Sequence, residues 1–133
     1  MPAFYPDEDV HKSLIVEIQS RGHSLTQATA NQRLPDCNVL LDASISGGIL
    51  VTHNHDDYLL LHRAWMLWPS HWRLNRQPVH FGILSIPQLR KPYPPGRTPV
   101  EVVDEIEAIV RSHSTLECRF FRFSFHDGWV ELT

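Results

Sequence analysis

Short apolar runs alternate with helical patterns along this chain, and that alternation restricts its fold more than any other feature. Residues 49–51 and 81–86 are apolar runs of the kind found in strands that are buried on both faces. Residues 3–5 and 24–28 are shorter strand candidates, and the first ends at Pro6 because proline cannot donate to a sheet ladder. Strands that alternate with helices predict an α/β fold with a mainly parallel sheet covered on both faces.

The segments between these strands carry helix signals. Apolar residues recur at helical spacing over residues 10–21 and 58–68. Asp36 precedes a further helical segment, where we expect it to be the N-cap, and the two glycines at residues 47–48 are expected to end that helix. The polar residues 52–57 then predict a loop between a strand and the next helix.

The C-terminal third of the chain contains two further signals. Thr98, Pro99 and Glu101 form a capping box with proline at the first helical position, which predicts a helix that extends to about Ser112. Residues 119–132 contain an Asp-Gly pair between two apolar stretches, which predicts a terminal β-hairpin.

Size and composition favour one ordinary globular domain over residues 1–133. Hydrophobic residues make up 42% of the chain and charged residues 20%, which excludes a disordered polar chain. The N-terminus lacks the basic start and apolar core of a signal peptide, and no apolar run is long enough to span a bilayer. Cys37 and Cys118 have no Cys-x-x-Cys partner, so we expect free thiols in a reducing cytoplasm.

The net charge of −3 hides an uneven distribution of charge. No acidic residue occurs between Asp57 and Glu101, and this window is basic. Its charged residues are Arg63, Arg73, Arg76, Arg90, Lys91 and Arg97. Because arginine and lysine neutralise phosphates, part of the window is expected to contact the backbone of a nucleic acid. The residues favoured for that contact are Arg73, Arg76, Arg90 and Lys91.

Acidic residues follow two of the predicted strands. Residues 7–9, Asp-Glu-Asp, come after the first strand, and Asp56 and Asp57 follow a later one. The carboxyl ends of parallel strands meet at one edge of a sheet, so the two groups are expected to converge, with Asp36 as a third arm. Carboxylates suit hard ions such as Mg²⁺, and two such ions roughly 3.5–4 Å apart can support phosphodiester hydrolysis.

These residues also allow other interpretations. Residues 7–9 and 56–57 precede helices, whose positive ends favour acidic side chains, and Asp36 is a natural N-cap. A zinc hydrolase is a further alternative, because imidazole suits zinc. Its ligands would be His53, His55 and His62.

Four segments follow the order of motifs in a known family. Residues 4–10, Phe-Tyr-Pro-Asp-Glu-Asp-Val, resemble an opening strand-Asp-Glu signature, and residues 21–23, Arg-Gly-His, resemble the end of the helix after it. Residues 50–58 are similar to a Thr-His-Asn-x-x-Asp-aromatic loop, and residues 80–83 match a last core strand. Together these segments cover about residues 3–90. They resemble the small PIN-like nucleases (VapC-like), which are often the toxin halves of toxin–antitoxin pairs.

This resemblance implies a PIN-like three-layer sandwich and an endoribonuclease that depends on Mg²⁺ or Mn²⁺. It implies metal binding by Asp7, Asp36 and Asp57, and a role for Thr52 in positioning the phosphate or a water. Glu8 and Asn54 are additional candidate metal ligands. The partners implied are an RNA substrate and a cognate small antitoxin protein, and a homodimer is left open.

Two residues depart from the family pattern. Pro6 stands where an aliphatic strand residue is usual, and Asn54 stands where many members have an aspartate. An asparagine carbonyl can still bind a metal ion, but it contributes no charge. The alternative interpretation is therefore a PIN-like protein that has lost catalysis and serves as an RNA- or protein-binding module.

Overall fold

A computed structural model of the chain describes residues 2–26, 34–72 and 79–133, without the side chains of residues 69–72. Arg73 and Arg76, two of the predicted nucleic-acid contacts, lie outside the described residues.

Six strands and four helices make up the described part of the chain. The strands are β1 (Ala3–Pro6), β2 (Ser24–Leu25), β3 (Ile49–Thr52), β4 (Ile83–Ser85), β5 (Phe120–Ser124) and β6 (Gly128–Leu132). The helices are α1 (Lys12–Ser20), α2 (Asp36–Ser46), α3 (His55–Trp72) and α4 (Pro99–Arg111). The predicted α/β class and the terminal hairpin are confirmed.

All strands belong to one sheet, in the order β2-β1-β3-β4-β5-β6. Every neighbouring pair is parallel except β5 and β6, which form the antiparallel hairpin. The chain moves outward from β1 to β2 and then returns to the other side of β1 for β3. In open parallel sheets, ligands bind at the carboxyl ends of the strands at such a reversal of strand order. Asp7 follows β1 and Asn54 follows β3, so both lie at this point.

Helices cover both faces of the sheet, because successive strand residues point to opposite sides. On one face α1 and α4 pack against Val51 and Leu84. On the other face α2 and α3 pack against Leu50, Ile83 and Phe120. Residues 49–51 are buried throughout, as the continuous apolar run predicts for a strand covered on both sides. No helix in the described part of the chain has the length and apolar character that crossing a bilayer requires.

Two predicted helix starts are wrong, and both changes affect the carboxyl edge of the sheet. Asp36 is the first residue of α2, and the N-cap is Pro35, which has no capping side chain. The helix after β3 begins at His55 and not at Tyr58, so the predicted loop is shorter and Asp57 lies in the first turn of α3. At α2 the Asp36 side chain contacts Asn54, which is distant in the chain, and local capping signals do not report such a contact. At α3 the signal is local, because the side-chain oxygen of Asn54 accepts the backbone N–H of Asp57 as an N-cap side chain does.

The capping box of α4 is present as predicted. Thr98 Oγ1 accepts a hydrogen bond from the backbone N–H of Glu101, and the Glu101 carboxylate accepts one from the backbone N–H of Thr98 at 2.9 Å. We expect Thr98→Ala to lower the free energy of unfolding by about 1 kcal/mol, because an N–H at the helix start loses its acceptor. Denaturant unfolding measures this difference. Thr98→Ser, which keeps the hydroxyl, is the matched control, and an equal loss in both variants would show that the hydroxyl is not responsible.

Candidate active site

Hydrogen bonds of its backbone and its carboxylate hold Asp7 at the end of β1. Its backbone N–H donates to Val51 O at 2.9 Å, which extends the β1–β3 ladder by one residue. Its carboxylate accepts from Thr52 Oγ1 at 2.9 Å and from the backbone N–H of Glu8 at 2.9 Å. The side chain is nearly inaccessible, with 3% exposure. Asp7 is therefore fixed in position and removed from bulk water.

Burial raises the pKa of Asp7 above its ordinary value, because a charged carboxylate is less well solvated inside the protein. The hydrogen bonds from Thr52 and Glu8 lower this pKa, and the negative charges of Asp9 and Asp36 raise it. On balance the ionised form of Asp7 is less favourable than that of an exposed aspartate.

Asn54 links the residues that follow β3 to those of α2. Its amide nitrogen donates to Asp57 Oδ2 at 2.9 Å and to Asp36 Oδ2 at 3.3 Å. Its carbonyl accepts from the backbone N–H of Asp57 at 3.4 Å, and its backbone N–H donates to Thr52 Oγ1 at 3.0 Å. One side chain therefore connects the first turn of α3 with the first residue of α2.

Asp36 is the second acid of this site whose pKa is raised. Its pKa is raised, first by burial and then by the negative charge of Asp57. The hydroxyl of Tyr58 donates to Asp36 Oδ1 at 3.4 Å and lowers this pKa. The charge of Asp36 in turn contributes to the raised pKa of Asp7, so the two carboxylates are close enough to interact.

Five of the predicted site residues thus come together at the carboxyl edge of the sheet. They are Asp7, Asp36, Thr52, Asn54 and Asp57. Three other acids of the same segments have side chains outside this group. Asp9 is exposed, although its negative charge raises the pKa of Asp7 and Asp36. Glu8 is exposed, although its backbone N–H holds Asp7, and Asp56 has a side chain that is 98% exposed. We call the three carboxylates of Asp7, Asp36 and Asp57 the acidic cluster.

Thr52 has a fully buried hydroxyl whose bonds are made within the protein. It donates to Asp7 and accepts from the backbone of Asn54. These contacts favour a role in orienting Asp7, whereas the resemblance implies a role in positioning the phosphate or a water.

Tyr58 is a member of the site that the sequence did not single out. It is completely buried, and its pKa is raised by burial and by the charges of Asp7 and Asp36. The only sequence signal for it is the aromatic position at the end of the motif over residues 50–58.

The donor set of the acidic cluster consists of oxygen atoms, which hard cations such as Mg²⁺ prefer. In the parts of the chain that the structure describes, no three His, Cys, Asp or Glu side chains are arranged as a complete metal-binding group. The acidic cluster therefore gathers negative charge but does not form a complete set of metal ligands.

The histidines of the zinc alternative have separate partners. His53 lies 3.0 Å from Ile86 O through Nδ1 and accepts from the backbone N–H of His11 at 3.4 Å through Nε2. His62 Nδ1 lies 2.9 Å from His80 Nε2. The ring of His55 packs edge-on against Phe120.

Arg90 and Lys91 lie beyond the carboxyl end of β4, at the same sheet edge as the acidic cluster. Both are exposed, and together with Arg97 they line a cavity of about 360 Å³. The guanidinium of Arg97 lies 4.9 Å from the ring centre of Phe125. This surface is basic and open to solvent.

Comparisons with protein-family models, with curated proteins and with solved structures found no match to this chain.

Proposed function

We propose that this protein is a metal-dependent endoribonuclease of the PIN-like type. The observation that carries the proposal is the convergence of Asp7, Asp36 and Asp57 at the reversal point of a parallel sheet. Carboxylates whose charges raise the pKa of their neighbours form a site of high negative potential, and a bound cation relieves that repulsion.

A divalent ion fits these residues by the chemistry of their donors. Mg²⁺ typically binds one or two protein carboxylates and fills its other positions with water and substrate phosphate. Asp7, Asp36 and Asp57 would hold the ion, with Glu8 and the carbonyl of Asn54 as further oxygen donors. When bound, Mg²⁺ or Mn²⁺ would supply Lewis acidity toward a phosphate and acidify the attacking water.

The chain's own residues prepare this site. Thr52 and the backbone of Glu8 fix the two carboxylate oxygens of Asp7. The buried Tyr58 donates to Asp36, and Asn54 ties Asp36 to Asp57. Such preorganisation keeps the charges in place without a reorganisation cost during the reaction.

The role of a toxin restrained by a small antitoxin protein belongs to the same proposal and is supported by the sequence resemblance alone. A neighbouring gene that encodes a small DNA-binding protein would agree with this role, and a homodimer can be tested by light scattering.

One contact favours a second candidate, a PIN-like module that binds RNA or protein without cleaving it. The amide of Asn54 donates to both Asp36 and Asp57, so it already satisfies charges that a metal ion would otherwise neutralise. Carboxylates stabilised in this way gain less free energy from a bound cation, so their affinity for Mg²⁺ would be weak.

The experiment that tests the proposal is cleavage of single-stranded RNA by the purified protein in Mg²⁺ or Mn²⁺. We expect cleavage that stops on addition of EDTA and returns when the metal ion is restored in excess. An enzyme that retains full activity in EDTA would contradict the metal-dependent mechanism. Metal binding without cleavage of any RNA would favour the non-catalytic module.

The basic surface gives a separate prediction about binding. Replacing Arg90 and Lys91 together by glutamine should weaken RNA binding and flatten its salt dependence, by about 0.7 in the logarithmic slope for each phosphate that is no longer neutralised. Fluorescence anisotropy over a salt series measures the slope. Arg111→Gln is the control for loss of a positive charge, because Arg111 ends α4 at the opposite sheet edge. A slope unchanged from wild type in the double variant would place the RNA elsewhere.

A further inference from the structure

The face of the sheet under α2 and α3 carries an apolar row followed by a polar row. Tyr5, Leu50, Ile83 and Phe120 are in register across β1, β3, β4 and β5 and form one buried cluster. Two residues further along each strand the side chains return to this face. These residues are Asp7, Thr52, Ser85 and Arg122.

The polar row crosses four neighbouring strands at the carboxyl edge. Thr52 is paired with Ser85, and Ser85 is paired with Arg122. Asp7 joins the row through its bond to Thr52. One end of the row is therefore the acidic cluster, and the other end is a guanidinium.

Arg122 differs from the arginines that form ion pairs in the structure. Its Nε atom is buried and has no hydrogen-bond partner. By contrast, Arg119 on the chain just before β5 forms two short bonds to Glu131, at 2.7 and 2.8 Å. None of the ion pairs among the described residues includes Arg122. A buried donor without an acceptor costs free energy, and a bound anion would satisfy it.

A second unsatisfied polar atom lies on the same face. The ring of His55 packs against Phe120, which is two residues before Arg122, and its Nδ1 is buried without a partner. Two polar atoms left without partners on one face of the sheet are unusual, since buried polar groups in folded proteins are almost always paired.

We propose that Arg122 binds a phosphate of the substrate beside the acidic cluster, with Ser85 between them. Adjacent strands are about 4.8 Å apart, so Thr52 and Arg122 are separated by roughly 10 Å. Because Ser85 is itself buried, the phosphate would lie beyond it, at the carboxyl edge of the sheet, within reach of an extended arginine. Arginine binds phosphate through two parallel N–H donors, a geometry that lysine cannot reproduce. The inference deepens the proposed function and rests on it for the identity of the substrate as a nucleic acid.

The test uses the full chain in EDTA, with inorganic phosphate and a single-stranded RNA oligonucleotide as probes. Phosphate should raise the melting temperature of wild type and of the control Arg111→Gln, but not that of Arg122→Gln. RNA affinity should fall about tenfold in Arg122→Gln, as expected for the loss of a charge-assisted hydrogen bond. Arg122→Lys, which keeps the charge and loses the paired donors, should recover only part of the affinity.

The outcomes separate this inference from the nuclease proposal. If wild type cleaves RNA and Arg122→Gln keeps the affinity and phosphate response of wild type, the phosphate role of Arg122 is overturned while the nuclease stands. If phosphate and RNA binding depend on Arg122 but no cleavage occurs with metal, the phosphate site stands and the nuclease fails. If wild type binds neither probe, the inference is also overturned.

Discussion

Asp7→Asn and Asp57→Asn are each expected to cleave single-stranded RNA about 100-fold more slowly than wild type in Mg²⁺, a loss of about 2.7 kcal/mol in transition-state stabilisation. Each substitution removes one charge from the acidic cluster and leaves the shape of the side chain unchanged. An asparagine at position 7 keeps one oxygen that can accept the hydrogen bond from Glu8, whereas the hydroxyl of Thr52 loses its acceptor and can only accept from the new amide nitrogen. Initial rates on a labelled RNA at saturating Mg²⁺ measure the effect.

Asp56→Asn is the matched control for this experiment. Asp56 and Asp57 are adjacent in the first turn of α3, where both favour the positive end of the helix dipole. Only Asp57 is hydrogen-bonded to Asn54, whereas the Asp56 side chain is 98% exposed and its carboxylate lies 3.9 Å from His55 Nε2. We expect Asp56→Asn to cleave at the wild-type rate. An equal loss at both positions would assign the effect to the helix terminus, and no loss at Asp7 or Asp57 would remove the acidic cluster from the mechanism.

The same two variants are expected to melt at a higher temperature than wild type when metal is removed with EDTA. Burial and neighbouring charges raise the pKa of Asp7, so its ionised form destabilises the folded state at neutral pH. Removing the charge of Asp57 relieves the repulsion that contributes to the raised pKa of Asp36. Mg²⁺ that binds only the folded state should stabilise wild type by about 2.7 kcal/mol at 100 times its Kd, and both variants should lose most of this gain.

The pH dependence of the stability difference has a definite sign. The pKa of Asp7 is higher in the folded protein than in the unfolded chain, so its carboxylate destabilises the fold at any pH above the folded pKa. This penalty fades as the pH falls toward the ordinary pKa of 3.8. The advantage of Asp7→Asn over wild type should therefore be largest near pH 7 and shrink in acid. Burial lowers the pKa values of His62 and His80, so these residues destabilise the protein as the pH falls below 6.5 and oppose this trend. Both effects are present in wild type and variant, so the comparison uses the difference between the two.

Thermal unfolding of Asp56→Asn provides the control for stability. This variant weakens only a favourable interaction with the dipole of α3, so it should melt slightly lower than wild type and keep the full response to Mg²⁺. If Asp7→Asn and Asp57→Asn also melt lower in EDTA and respond fully to Mg²⁺, their carboxylates are structural, and the nuclease proposal would rest on the sequence resemblance alone.

The elements of the fold were predictable where the signal is local. The apolar run at residues 49–51, the glycine after α2 and the capping box at Thr98 each correspond to the element that the sequence predicts. These signals depend on neighbours within a few residues, so no tertiary information is needed to interpret them. The start of α3 was misplaced although its signal is also local. The backbone carbonyl of Asn54 accepts the backbone N–H of Tyr58 and its side chain accepts that of Asp57, within a segment whose polar composition is typical of a loop.

The acidic cluster was accessible to sequence reasoning because a parallel sheet collects the carboxyl ends of its strands at one edge. That rule predicted that residues 7–9 lie near Asp56 and Asp57, from their positions after two strands, and the family resemblance singled out Asp7 and Asp57. The rule itself could not rank Asp57 above Asp56, because the two differ only in which side of the first helical turn they occupy. The hydrogen bond from Asn54, three residues before Asp57, distinguishes them.

The sequence by itself determined the α/β class, the terminal hairpin and the edge of the sheet where the acids gather, because alternation, turn residues and strand ends are local properties. Only the tertiary structure decided how these residues are joined and which further residues lie beside them. Asp36 reaches Asn54 through the packing of α2, Tyr58 is buried beside Asp7 and Asp36, and Arg122 aligns with Thr52 through the register of three strands. Register between strands far apart in the chain is fixed by the packing of both sheet faces together, and no single segment of sequence contains that information.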